Sequence, residues 1–106
     1  MTYERMTSAP TQEVLRLAEK ILTERLPIER ETSDRHAVRL TGGDGTADIT
    51  VHRHGLDTLV HVSTDQLRTS RLDTEVQFFL TLLPYQPGDR KTGGRAAPGG
   101  LTEGAA

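Results

Sequence analysis

Between His36 and Ser63 an apolar residue recurs at every second position: Val38 and Leu40, then Ala47, Ile49 and Val51, then Val60 and Val62. A period of two sends successive side chains to opposite sides of an extended backbone, so these segments read as strands with one dry and one wet face. The pattern predicts strands at residues 36–41, 46–53 and 58–63. Gly42-Gly43-Asp44-Gly45 supplies the first turn and His54-Gly55-Leu56-Asp57 the second. Pairing Thr41 with Thr46 sets Leu40 opposite Ala47 and Arg39 opposite Asp48, and pairing His54 with Asp57 brings Val60 and Val62 onto the same face. Slipping either hairpin by one residue would turn its apolar set to water, so the hairpins specify one amphipathic sheet together.

Helical periodicity flanks the sheet. Val14, Leu17, Ala18, Ile21 and Leu22 form one stripe, widened by Leu15 and Leu26, with Glu13, Arg16, Glu19, Lys20 and Glu24 around the remainder. Ser8 and Pro10 read as the entry to this helix and Pro27 as its stop. A second helix is predicted over residues 70–83, capped by Ser70 with Asp73 three residues on, and ended by Pro84. Leu72, Val76, Phe79, Leu80 and Leu83 make its buried stripe; Phe78 and Leu82 lie off it. Ile28, Arg30 and Thr32 alternate as a short edge strand would, which leaves a fourth strand open.

The chain has 106 residues, of which 34% are hydrophobic and 26% charged, with a formal charge of −2. That composition suits one small α+β domain: a helix, a three-stranded antiparallel sheet and a helix, both helices on one sheet face and the other face open to solvent. The expected organisation is a flexible start at residues 1–9, the domain at residues 10–84, and a disordered Gly/Pro/Ala-rich tail at residues 85–106. Met6 follows Met1 closely, so either could be the start. The chain has no cysteine, which excludes disulfides and thiolate chemistry. No apolar run nears the roughly 20 residues of a membrane span, and a cytoplasmic location is expected.

Each constellation that could carry chemistry has a plainer explanation. His52, His54 and His61, with Asp48 and Asp57 nearby, share the wet face and could approach a metal ion, but the register sets Thr50 rather than His52 opposite His61. Arg39 and Asp48 read as a cross-strand ion pair. Gly42 to Gly45 is followed by a strand, not by the Lys-Ser/Thr and helix of a phosphate loop. No nucleophile and base stand in a recognised arrangement, so no enzyme activity and no cofactor are expected. Arg68, Arg71, Arg90, Lys91 and Arg95 could meet phosphates, against an overall acidic balance.

The order helix, three strands, helix resembles the double-stranded-RNA-binding domain, whose sheet is also covered on one face by two helices. That resemblance implies a lysine cluster at the start of the second helix; here Arg68 and Arg71 are followed by Asp73 and Glu75. The order is also similar to small secretion-chaperone-like domains, which implies dimerisation and a held partner. The expected function is a non-catalytic interaction module, adaptor or chaperone-like, that associates with a protein partner or itself as a homodimer through Phe78 and Leu82. The alternatives are weak nucleic-acid binding through the basic residues and metal binding on the histidine face.

Overall fold

Val38, Leu40, Ala47, Ile49, Val51, Val60 and Val62 are buried on a common face, as their alternation demands. The computed structural model describes residues 1–84. Its elements run β1 (Thr2–Thr7), α1 (Thr11–Arg25), β2 (Ile28–Ser33), β3 (Ala37–Gly42), β4 (Gly45–His54), β5 (Asp57–Thr64) and α2 (Arg71–Thr81). The central hairpins take the register derived from the sequence. Leu40 lies opposite Ala47 and Arg39 opposite Asp48; Thr50 lies opposite His61 and His54 opposite Asp57.

The expectation of a three-stranded sheet is corrected. The sheet has five strands in the order β1-β5-β4-β3-β2, with neighbours antiparallel throughout. Ile28–Ser33 does form the extra strand left open above, pairing with β3 at one edge, with a register shift between Arg30 and Thr32. At the other edge Thr2–Thr7, expected to be a mobile lead-in, pairs along the whole of its length with β5. The likenesses to the double-stranded-RNA-binding domain and to small secretion-chaperone-like domains both rest on an order with three strands and do not extend to this sheet.

β1 escaped the periodicity because its inward residues are not plainly apolar. Tyr3, Arg5 and Thr7 point to the helix side, where each makes a hydrogen bond to α2 or its exit. The Tyr3 hydroxyl donates to Asp73 Oδ2 at 2.7 Å, the Arg5 guanidinium to the Leu83 carbonyl at 3.0 Å, and the Thr7 hydroxyl to the Pro84 carbonyl at 2.5 Å. Buried polar groups are stable only with such partners.

Both helices cover the apolar face, and Val14, Ala18, Leu22, Leu72, Val76 and Phe79 are wholly buried between them and the sheet. Ser8 is not the cap of α1. The capping position is Pro10, which makes no side-chain hydrogen bond, while Thr7 Oγ1 accepts from the Ala9 N–H. Ser70 caps α2 as its sequence implied, accepting from the Asp73 N–H at 3.0 Å. The tail at residues 85–106, with Arg90, Lys91 and Arg95, lies outside the described residues.

Candidate functional site: the seam between the helices

α2 is apolar around more of its circumference than the sheet can bury. Its inner residues Leu72, Val76 and Phe79 are fully buried, whereas Phe78 and Leu82, one turn apart, remain 38% and 43% exposed. Spacing of four puts these two on one line of the helix. Neighbouring α1 brings Arg25 over Phe78, its guanidinium carbon 4.5 Å from the ring centroid. Arg25 Nε also bonds Glu75 Oε1, and the Arg71 guanidinium reaches the Arg25 carbonyl at 3.4 Å.

Arg25 is the last member of a row on α1 that steps by four residues: Glu13, Leu17, Ile21, Arg25. Leu17 and Ile21 are half-buried and pack against the core, and Glu13 and Arg25 are exposed. Arg25 thereby joins α1 to the exposed pair Phe78 and Leu82 on α2, whereas Glu13 at the start of the row is bonded to Arg16 and, after three steps of about 40° each, lies on a different side of the helix. Phe78 and Leu82 were legible as off-stripe residues. Leu17, Ile21 and Arg25 were missed as surface, because a stripe counted from sequence does not reveal which of its members the sheet covers.

The histidines are not brought together. His61 Nδ1 lies 3.2 Å from Glu4 Oε2 on β1, His52 lies across from Leu59, and His54 closes the hairpin with Asp57. Among the described residues no group of three or more His, Cys, Asp or Glu is placed to hold a metal ion. Arg39 bonds both Asp48 and Glu31, so the wet face carries a row of mutually satisfied charges. Of the basic residues, Arg68 and Arg71 flank the start of α2, and Arg71 is engaged with the α1 carbonyl already named.

A groove of ≈ 590 Å³ lies between α1 and the β2–β3 hairpin. Arg16, Lys20 and Arg30 line it together with Glu19, Glu24 and Asp34. Arg30 bonds Glu19 across it at 3.4 Å. Charges of both signs that already pair across the opening give it no preference for an ionic ligand.

One buried polar cluster also went unseen. Asp73 is fully buried, and its carboxylate accepts from the hydroxyls of Tyr3, Thr64 and Ser70 at 2.7–2.9 Å. Desolvation first, then the bond to Asp73 and its charge, push the Tyr3 phenol up to about 12. The cluster fastens β1 and β5 to α2 and so holds the frame beneath the exposed pair Phe78 and Leu82.

No helix among the described residues is long and apolar enough to cross a membrane. The chain matches no protein-family model, and no curated protein or solved structure is significantly similar to it.

Proposed function

We propose that this protein is a small non-catalytic interaction module whose contact surface is the seam between α1 and α2. The observation that supports this is the pair Phe78 and Leu82, exposed side by side on a helix whose opposite face is fully buried. Large apolar side chains clustered on a surface favour docking, because covering them releases ordered water and the rim of paired charges sets orientation. Small domains also bury a modest fraction of their surface alone and gain stability from association. We read its role as that of an adaptor or chaperone-like module.

The double variant Phe78→Ser, Leu82→Ser tests the reading. Stoichiometric capture of a protein partner, another copy of the chain included, is expected to be lost from a nuclease-treated native lysate, with the far-UV spectrum unchanged. Undiminished capture by the variant would overturn the seam as the contact surface.

A further inference from the structure

We propose that β1 is a hinged strap that opens from the sheet as a unit while the remainder stays folded, and that the slot it leaves along β5 takes an extended partner segment carrying Tyr, Arg and Thr at alternate positions, as β1 does. Burial marks β1 as separable. Among the described residues the buried apolar cluster takes nothing from Thr2–Thr7, whereas the adjoining β5 places Val60 and Val62 wholly inside it. β1 is held instead by its ladder and by polar bonds, which divide it into a fixed end and a free end. At the fixed end Thr7 is buried, its hydroxyl and the Ser8 N–H both donate to the Pro84 carbonyl, and the Thr58 hydroxyl donates to the Ala9 carbonyl. Towards the free end Thr2 and Glu4 are exposed, Glu4 in a pair with His61, and the Tyr3 hydroxyl reaches Asp73 Oδ2. Asp73 keeps the hydroxyls of Thr64 and Ser70 when Tyr3 leaves, so this latch can release without stripping the carboxylate of donors.

The slot has a definite shape. Met1 exchanges both backbone bonds with Thr64, at 2.7 and 2.9 Å, and pairing runs one-to-one from Thr2 opposite Ser63 to Thr7 opposite Thr58. Alternation in an antiparallel ladder then aims the backbone groups of Tyr3, Arg5 and Thr7 at Val62, Val60 and Thr58, so opening frees the N–H and C=O groups of those β5 residues on an edge without a bulge. The Asp73 carboxylate and the carbonyls of Leu83 and Pro84 line the helix side of the slot, where they accept from Tyr3, Arg5 and Thr7 in the closed state. All are acceptors, so an incoming segment must bring a donor at every second position. Tethered in cis, β1 holds the slot against such a segment and acts as an autoinhibitory strap.

A labelled synthetic peptide of residues 1–9, titrated against the full chain and followed by fluorescence anisotropy, tests slot and strap together. Saturable binding is expected, weakened in proportion to the small fraction of chains whose strap is open. Tyr3→Phe acts in opposite directions in the two molecules. In the chain it loosens the strap and strengthens peptide binding by about tenfold; in the peptide it removes the donor to Asp73 and weakens binding by about tenfold. Because the chain lacks cysteine, Thr2→Cys combined with Ser63→Cys, opposite one another on the solvent face, forms a single disulfide that locks the strap. The oxidised protein is expected to lose peptide binding and reduction to restore it. Hydrogen exchange of the wild-type chain gives a second readout: the Tyr3 and Arg5 amides should exchange about a hundredfold faster than the Val51 amide, which donates to the His36 carbonyl at 2.9 Å, and should match it in the oxidised lock. Equal exchange in the wild-type chain would overturn the strap as a separate unit. Absence of saturable binding to the Tyr3→Phe chain, or binding undiminished by the lock, would overturn the slot. None of these readouts depends on Phe78 or Leu82, so failure here leaves the proposed contact surface standing.

Discussion

At the scale of single residues, the position with the largest consequence is Asp73. A fully buried carboxylate is tolerated because three hydroxyls donate to it, and removing it would strand all three. Asp73→Ala is expected to lower unfolding free energy by about 2–4 kcal/mol in urea titrations, since each orphaned buried group costs about 1–3 kcal/mol with partial relief from water. Tyr3→Phe removes one donor and should cost about 1.5 kcal/mol. The alkaline behaviour follows from Tyr3. Its phenol titrates near 10 when unfolded and is held up to about 12 when folded, so the folded state favours the protonated form. The contribution is complete below pH 10 and disappears as pH rises through about 12. Absorbance at 295 nm should show this phenol ionising late, and the Tyr3→Phe protein should lack the corresponding alkaline loss of stability. Phe78 belongs at this scale too: Phe78→Ser forfeits the Arg25 stacking contact, about 0.5–1 kcal/mol at an exposed site, and should leave the fold intact.

Among the elements, the β3–β4 hairpin shows how closely local chemistry can dictate shape. A Cβ on Gly42 would stand 2.2 Å from the Pro27 carbonyl oxygen and 2.7 Å from the Ile28 Cα, both backbone atoms. Gly42→Ala must therefore push the hairpin away from the entry to β2, and a loss of about 1–3 kcal/mol is expected by thermal melting. Gly45 has φ of 122°, which L side chains rarely adopt, so it too resists replacement. The glycine-dense turn is legible in the sequence, whereas the approach of Pro27 is not. β1 shows the converse. Its pairing with β5 is complete, yet Tyr3, Arg5 and Thr7 face inward and give no apolar alternation to detect. Deleting residues 1–7 is expected to uncover the outer edge of β5, and hydrogen exchange across Asp57–Thr64 should then accelerate markedly.

For the whole molecule, stability is concentrated where both helices meet the sheet. Phe79 is the largest fully buried side chain among the described residues, and Phe79→Ala should cost about 3–5 kcal/mol, enough to unfold much of a small domain at physiological temperature. The exposed ion pairs of the wet face contribute far less: Arg39→Ala should change stability by less than about 1 kcal/mol. What the amino-acid sequence determined by itself is the central architecture: both helices, both inner hairpins, their register and the apolar face. Each of these is encoded by neighbours in the chain, through a repeat of two or of nearly four and through turn residues between repeats. Tertiary structure alone decided that β1 pairs at one edge, that the alternation at Ile28, Arg30 and Thr32 becomes the paired strand at the other, the burial of Asp73 and the identity of the seam. Those depend on which distant segments arrive beside a residue: the Tyr3 hydroxyl is 70 positions from the carboxylate that makes its burial possible, and Leu17 and Ile21 remain at the surface only because the sheet lies beneath their neighbours on the helix.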